Sequence, residues 1–230
     1  MELPFKAVIF DMDGTLIAST QADYLAWQKL LAEYGVPLPY EDYFPLLGMR
    51  SMDLVRMKLQ LEGPAADKAL EKKMQYFKEG VKEEGIERIP FSRSFLTELK
   101  EYSVRLALAT SSRKPKTELV MEHTGLLEFF EIIVTGEDVK NGKPAPDIFL
   151  RAAGKLQVAP EDCLVFEDAA SGVEAAKSAG MKCVAITTTH GDSELKKADL
   201  IIERFEGLHV PELCAVLYPD YPAPAAGTGN

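Results

Sequence analysis

The amino-acid sequence predicts an α/β fold in which helices cover both faces of a parallel sheet. Short, continuously apolar runs recur along the chain, as in parallel strands that are buried on both faces. Helical patterns alternate with these runs from about residue 92 to about residue 190. About 70 residues with almost no strand pattern follow the first run. The sequence therefore predicts a doubly wound parallel sheet with a helical module inserted after its first strand.

Five apolar runs are the predicted strands, at 7–10, 104–109, 132–134, 163–166 and 184–186. The clearest helix of the sheet domain is predicted over 171–179. Ser171 and Glu174 have the spacing of a capping box at its start. Gly180 can take the left-handed conformation that ends a helix.

Apolar residues at helical spacing predict three helices in the inserted module. The three sets are Tyr24, Trp27, Leu31 and Tyr34; Met52, Val55 and Leu59; and Ala66, Leu70, Met74, Phe77 and Val81. We interpret these stripes as helix-packing core. The predicted organisation is a core domain over 1–17 and 89–214, a helical cap over 18–88 and a disordered tail over 215–230, with hinges after Gly14 and over 85–90.

The composition argues against several classes of protein. The 230 residues include 26 Lys and Arg against 36 Asp and Glu, and the net charge of −10 disfavours nucleic acid or an anionic membrane as the main partner. No apolar run is long enough to span a bilayer, and the first residues lack a secretory-signal pattern. Cys163, Cys183 and Cys214 fit buried free thiols better than disulfides or a zinc site. We therefore expect a cytoplasmic protein.

Polar side chains follow the predicted strands, where open α/β sheets place their ligands. Asp11 and Asp13 come directly after the first strand. Two carboxylates at one buried strand end repel each other unless a cation or phosphate chemistry requires them. Thr110, Ser111 and Ser112 follow the second strand, with hydroxyl and backbone N–H groups that could hold a phosphate.

Three further charged residues are expected at the same edge of the sheet. Lys143 lies between Gly142 and Pro144, just before a predicted helix, so its cation can be held rigidly. Glu167 and Asp168 follow the fourth strand and add two acids. Each residue taken singly has an ordinary explanation as a turn or surface residue, but the ordered set does not.

The ordered set resembles the haloacid dehalogenase-like (HAD) superfamily of phosphotransferases. The resemblance extends from about residue 5 to about residue 189 and rests on four motifs. They are Asp-x-Asp-Gly-Thr at 11–15, Thr110 after the second strand, Lys-Pro-x-Pro-Asp-x-Phe at 143–149 and Glu-Asp-x-x-Ser-Gly at 167–172. The resemblance implies a Rossmann-like core with the inserted cap of subclass I members, as in β-phosphoglucomutase-like proteins.

The resemblance also implies a role for each motif residue. Asp11 would be the nucleophile that forms an aspartyl-phosphate, and Asp13 would be the general acid and then the general base. Thr110, Ser111 and Lys143 would hold the phosphoryl oxygens during transfer.

The implied cofactor is Mg²⁺, which prefers oxygen ligands. The resemblance assigns it the carboxylates of Asp11 and Asp168 and the backbone carbonyl of Asp13. Glu167 would contribute either directly or indirectly.

Single residues separate the activities known in this family. The presence of Asp13 favours phosphotransfer over carbon–halogen hydrolysis. Ser51 stands where phosphonoacetaldehyde hydrolases carry a Schiff-base lysine, which argues against that activity. Asp23 stands where β-phosphoglucomutases have a histidine, which weakens the mutase interpretation. A capping box with Thr20 explains Asp23 at least as well as a catalytic role.

The predicted function is a Mg²⁺-dependent phosphatase acting on a small phosphorylated metabolite, such as a sugar or polyol phosphate. Arg50 and Lys78 of the cap are candidate substrate-binding residues, with solvated helix charges as the alternative interpretation. A β-phosphoglucomutase-type phosphomutase and a non-catalytic binding protein on a HAD scaffold are the alternative functions. The sequence indicates neither the substrate itself nor the oligomeric state.

Overall fold

A computed structural model describes residues 3–221, which contain a six-stranded parallel sheet. The strands are β1 (Ala7–Phe10), β2 (Arg105–Ala109), β3 (Ile132–Val134), β4 (Cys163–Glu167), β5 (Lys182–Ile186) and β6 (Leu200–Ile202). They lie in the order β3-β2-β1-β4-β5-β6, and every neighbouring pair is parallel. The predicted doubly wound α/β fold is confirmed.

Helices cover both faces of the sheet and form the inserted module. Those of the module are α1 (Thr20–Glu33), α2 (Tyr40–Tyr43), α3 (Ser51–Leu59) and α4 (Gly63–Glu84). Those beside the sheet are α5 (Ser92–Glu101), α6 (Lys114–His123), α7 (Asp147–Leu156), α8 (Ala170–Ser178), α9 (Asp192–Leu195) and α10 (Val210–Leu217).

All five predicted strands are present, but β6 was not predicted. β6 has three residues at the edge of the sheet, and all three are only half-buried. The run Leu200–Ile202 is as apolar and as short as that of β3, but it lies beyond residue 190, where the alternation of strand and helix patterns used for the prediction ends.

Side chains of the central strand β1 alternate between two apolar layers. Val8 and Phe10 enter one layer, where the ring of Phe10 stacks on Phe166 with 4.9 Å between centroids. Ala7 and Ile9 enter the other layer, which α7 and α8 cover. This second layer is rich in alanine, so these helices pack close to the sheet.

The inserted module has an apolar core of its own, built by α1, α3 and α4. Trp27, Val55 and Leu70 belong to this core, as the helical spacing predicted. Tyr34 is an exception, because it lies one residue beyond α1 and is 47% exposed. The two chain segments that join the module to the sheet run side by side. Their backbone hydrogen bonds are Ala18 N to Glu87 O at 2.9 Å and Ile89 N to Leu16 O at 2.8 Å.

The predicted capping box at the start of α8 is wrong. The helix begins at Ala170, and no side chain caps it. Ser171 therefore lies inside the first turn, and its hydroxyl has no hydrogen-bond partner. Glu174 instead pairs with Lys197 at 3.0 Å. Gly180 does adopt a positive φ of +76° beyond the end of the helix.

Helix α10 extends into the start of the segment predicted to be a disordered tail. Positions 222–230 of that predicted tail lie outside the described residues. Among the described residues, no helix combines the length and the apolar character needed to cross a membrane.

Candidate active site

The carboxyl ends of three neighbouring strands form the candidate site. Because β1 pairs with β2 on one side and with β4 on the other, the residues that follow these strands meet at one edge. Asp11 follows β1, Thr110 follows β2 and Asp168 follows β4, and all three line one cavity. The cavity lies where the strand order reverses, which is the usual ligand position in open α/β sheets.

Lys143 reaches this edge from the loop between β3 and α7 and is buried there. Its Nζ donates to Asp11 Oδ1 at 2.6 Å and also to Glu167 Oε1. Burial disfavours the charged form, but the two carboxylates hold the pKa of Lys143 above its ordinary value. The structure therefore brings together the lysine and the acids that the sequence predicted at one edge.

Asp11, Glu167 and Asp168 form a buried cluster in which one ligand oxygen of each lies within 4.8 Å of the others. Lys143 supplies one positive charge against these three carboxylates. Burial raises the pKa of Asp11 to about 7, although Lys143 lowers it. Burial and the neighbouring Glu167 raise the pKa of Asp168 well above its ordinary value. A divalent cation would offset this excess negative charge, so the donor set fits a site for a metal that prefers oxygen ligands.

Neutral donors orient these carboxylates. Thr15 Oγ1 donates to Asp168 Oδ1 at 3.1 Å, and Thr189 donates to the other oxygen of Asp168. The backbone N–H groups of Asp168 and Ala169 donate to Glu167 Oε2 at 2.9 and 3.0 Å. The acids are thus fixed in place without further positive charge, which leaves their negative charge available to a cation.

Two glycines let the backbone approach these carboxylates closely. Gly14 adopts a φ of +82°, and a Cβ on it would lie 2.1 Å from Asp168 Oδ2. A Cβ on Gly172, in the first turn of α8, would lie 1.8 Å from Glu167 Oε1. Both separations are far below van der Waals contact, so neither position accepts a side chain without displacing an acid.

Asp13 lies in the loop after β1, and its carboxylate is held by three donors. Ser112 Oγ donates to Oδ2 at 2.6 Å, Ser19 Oγ donates to Oδ1, and Lys116 Nζ lies 2.7 Å from Oδ1. The Asp13 side chain is still 26% exposed, and it lines the cavity with Asp11. Asp13 is therefore fixed in orientation and remains accessible to a bound molecule.

The hydroxyl groups after β2 line the same cavity. Thr110 Oγ1 accepts a hydrogen bond from the Ser112 backbone N–H at 3.1 Å. Ser111 Oγ is buried and has no hydrogen-bond partner. A buried polar group without a partner is costly unless a ligand or water satisfies it, so Ser111 fits a position where a polar ligand binds beside Asp11.

The helical module covers the cavity as a cap. Trp27, Tyr43, Leu47 and Met49 of the module line the cavity opposite the acids. A ligand at Asp11 would be enclosed between the polar edge of the sheet and a mainly aromatic and aliphatic wall.

Two candidate cap residues do not line this cavity. Arg50 donates from Nη1 to the carbonyls of Val139 and Lys140 at 2.9 and 2.8 Å, and its guanidinium also pairs with Asp53. Lys78 lines a separate hollow between α4 and α6. The structure gives Arg50 a role in holding the cap to the core and provides no support for substrate contact by Lys78.

The capping-box interpretation of Asp23 is wrong. Helix α1 begins at Thr20, its N-cap residue is Ser19, and no side chain caps it. The carboxylate of Asp23 instead accepts hydrogen bonds from Lys73 Nζ at 2.5 Å and Lys116 Nζ at 2.6 Å. Burial disfavours the charged carboxylate, but the two lysines hold its pKa below the ordinary value.

Sequence reasoning missed several polar residues around the acids, namely Ser19, Lys116 and Thr189. Thr189 follows a predicted strand, so its place at the carboxyl edge was a usable signal. Ser112 was expected among the phosphate-holding hydroxyls, and in the structure it donates to Asp13. Lys116 is different, because it lies in the first turn of α6 and only the phase of that helix turns it toward Asp13.

Comparisons with known proteins agree with this arrangement. A family profile described as haloacid dehalogenase-like hydrolase matches residues 8–186. Over 215 residues the chain is 30% identical to validoxylamine A 7'-phosphate phosphatase of Streptomyces hygroscopicus subsp. limoneus, covering 91% of this chain and 98% of that protein. Over 184 residues it is 35% identical to the phosphorylated carbohydrates phosphatase of Thermotoga maritima, covering 77% and 82%.

Two further comparisons concern the extent of similarity. The chain is 35% identical over 198 residues to protein SUPPRESSOR OF QUENCHING 1 of Arabidopsis thaliana, but it spans only 19% of that protein. A crystal structure of β-phosphoglucomutase from Clostridium difficile superposes with a TM-score of 0.85 at 26% identity, covering 94% of this chain and 98% of the other. The cap and the sheet domain are thus both shared with a solved structure.

Gly172→Ala should displace Glu167, because the added methyl group overlaps its carboxylate. We expect a loss of about 1–3 kcal/mol in the free energy of unfolding and weaker binding of a divalent cation. The matched control is Gly154→Ala in α7, where no atom lies within 4 Å of the added Cβ. The control should gain about 0.5–1 kcal/mol. Urea unfolding and calorimetric Mg²⁺ titration measure both effects, and similar behaviour of the two variants would contradict the proposed contact.

The raised pKa of Asp11 predicts how its contribution to stability changes with pH. Between its ordinary value of 3.8 and about 7, the metal-free folded protein binds more protons at Asp11 than the unfolded chain does. This contribution therefore falls as pH rises through that range. Asp11→Asn should be more stable than the wild type at pH 8, and the difference should shrink toward pH 4.

Melting temperatures measured with EDTA and with Mg²⁺ test the same prediction. Mg²⁺ should stabilise the wild type more at pH 8 than at pH 5, because protons compete with the metal for the carboxylates. An equal or larger effect at pH 5 would contradict a metal site built on these acids.

Proposed function

This chain belongs to the haloacid dehalogenase-like hydrolase family, and we propose that it is a Mg²⁺-dependent phosphatase of small sugar or polyol phosphates. The observation that carries the proposal is the ion pair between buried Asp11 and Lys143. The accessible Asp13 lies two residues after Asp11 in the same loop. This arrangement supports the roles of nucleophile for Asp11, of cation for the phosphoryl oxygens for Lys143 and of proton-transfer group for Asp13.

In the proposed reaction, a carboxylate oxygen of Asp11 attacks the phosphorus of the ester. The bond from phosphorus to the ester oxygen breaks, Asp13 gives that oxygen a proton, and the free alcohol leaves. The phosphoryl group is then held as an aspartyl-phosphate on Asp11. Lys143, Thr110 and Ser111 interact with its oxygens, and the buried position of Lys143 strengthens that interaction.

The second step returns the enzyme to its starting state. A water molecule attacks the phosphorus, its proton passes to Asp13, and the bond between phosphorus and Asp11 breaks to release inorganic phosphate. Mg²⁺ at Asp11, Asp168 and the Asp13 carbonyl, supported by Glu167, would neutralise the negative charge shared by the acids and the phosphate.

The cavity beneath the cap supports a small substrate. Its cap side is formed by ring and aliphatic groups such as Trp27 and Tyr43, so a substrate at Asp11 would lie between the cap and the edge of the sheet. Two relatives described above are named as phosphatases, one of validoxylamine A 7'-phosphate and the other of phosphorylated carbohydrates. We further propose a cytoplasmic location, which is supported by three buried and unpaired cysteines.

A sugar phosphomutase is the second candidate, favoured by the close structural match to β-phosphoglucomutase. The cap residue Asp23 argues against it. Its carboxylate is occupied by Lys73 and Lys116, so it does not replace the histidine that mutases carry at this position.

Phosphate release across a panel of sugar and polyol monophosphates tests the proposal. We expect Mg²⁺-dependent turnover that Asp11→Asn lowers by at least ~10³-fold, because the nucleophile is removed. The matched control is Asp162→Asn, which lies at the opposite edge of the sheet in a partly exposed pair with Lys6. The control should retain wild-type turnover.

Three outcomes would contradict the proposal. Turnover that survives Asp11→Asn or EDTA would exclude the mechanism. Isomerisation of a sugar phosphate that depends on a sugar bisphosphate and releases no phosphate would identify a mutase. An absence of both turnover and stabilisation by BeF₃⁻ with Mg²⁺ would indicate a non-catalytic binding protein.

A further inference from the structure

Four charged side chains lie together where the cap meets the sheet domain, and three of them are buried. Asp13 and Lys116 belong to the sheet domain, and Asp23 and Lys73 belong to the cap. Lys73, Lys116 and Asp23 are 5%, 6% and 9% exposed. Buried charges persist only when they are paired, so the geometry of these pairs restricts how the cap and the sheet domain can sit together.

Lys116 is the group that joins the two domains. Its Nζ lies 2.7 Å from Asp13 Oδ1 and 2.6 Å from Asp23 Oδ1. The ring of Phe77, on cap helix α4, lies 4.9 Å from the same Nζ. The ammonium group is therefore fixed from the sheet domain on one side and from the cap on the other.

Asp23 is the cap group that receives Lys116. Lys73 Nζ donates to its Oδ1 at 2.5 Å, and Tyr43 OH donates to its Oδ2 at 3.1 Å. Two lysines and two carboxylates make this cluster neutral as long as the cap is closed. If the cap moved away, Lys116 would lose Asp23 and keep Asp13, and Asp23 would lose Lys116 and keep Lys73 and Tyr43.

Asp13 is thereby oriented by a group whose own position depends on the cap. Lys116 and Ser19 contact its Oδ1, and Ser112 donates to its Oδ2. These contacts fix the direction of the Asp13 carboxylate, and a group that takes a proton from a bound water molecule needs such a fixed position. The step that needs this is the hydrolysis of the aspartyl-phosphate, in which water gives its proton to Asp13.

We propose that Lys116 is a positioning residue that holds Asp13 for the hydrolysis step when Asp23 of the closed cap secures it. The proposal rests on the proposed phosphatase function. In this step the water oxygen bonds to phosphorus, its proton moves to Asp13, and the phosphorus–Asp11 bond breaks. Without Lys116, phosphorylation of Asp11 by an ester with a good leaving group proceeds, whereas the removal of the phosphoryl group slows.

Rapid-mixing kinetics with p-nitrophenyl phosphate separate the two steps, because its leaving group needs no proton. We expect Lys116→Met to keep a burst of about one p-nitrophenolate per active site. Its steady-state kcat should fall by about 10- to 100-fold. This fall is smaller than the ~10²–10⁴-fold rate loss expected when a general base is removed completely. Phosphorylated enzyme should accumulate and be detected by intact-mass measurement. The matched control is Lys114→Met, whose exposed side chain lies in the same helical turn; it should behave as the wild type.

Asp23→Asn tests the link to the cap independently. This substitution should also lower kcat. In the double variant, Lys116→Met should lower kcat little further, because both changes disrupt the same ion pair. Asp23→Asn should also increase acrylamide quenching of Trp27, the single tryptophan of the chain, which is 2% exposed inside the cap wall. Lys116→Arg keeps the positive charge and should recover part of the lost kcat.

The outcomes distinguish this proposal from the proposed function. A wild-type protein without burst or turnover would overturn the phosphatase assignment and this proposal with it. An active wild type whose burst and kcat fall by the same factor in Lys116→Met would overturn the positioning role alone. A kcat of Lys116→Met equal to that of Lys114→Met would also overturn the positioning role. Fully additive effects of Asp23→Asn and Lys116→Met on kcat would overturn it as well.

Discussion

The contact between Lys143 and the acids of the sheet edge is the interaction on which the site depends. Asp11 and Glu167 are buried within reach of one lysine, and Asp168 lies beside them with only neutral donors. Burial of like charges is unfavourable, so this arrangement persists only because each acid is fixed by a lysine, a hydroxyl or a backbone N–H group. The remaining negative charge is what makes the edge suited to a divalent cation, and it relates the net charge of −10 to the chemistry of the site.

The sheet topology explains why residues far apart in the chain meet at this edge. β1 is central, so the loop that carries Asp11 and Asp13 lies between the ends of β2 and β4. The cap is inserted directly after that loop, which puts its own charged residues within reach of Asp13. In the proposed mechanism, this order of elements along the chain would couple proton transfer to enclosure of the substrate.

The sequence allowed prediction of the fold and of the residues at the strand ends, because both follow from short-range patterns. Asp11, Lys143 and Asp168 stand in motifs that end strands or begin helices, and the parallel sheet collects them. Arg50 and Lys116 could not be assigned in this way. The direction of each side chain depends on how the cap docks on the sheet domain, which is set by contacts about 90 positions apart in the chain, such as Arg50 with Lys140 and Lys116 with Asp23.

The two segments that connect the cap to the sheet domain have a mechanical consequence. They are tied to each other by the Ala18–Glu87 and Ile89–Leu16 hydrogen bonds, and Ile17 also bridges to Arg88. Two strips of chain bonded edge to edge bend more readily across their common plane than they shear within it. This pairing therefore favours rotation of the cap about one axis. Closure about that axis would return Asp23 to the same position beside Lys116.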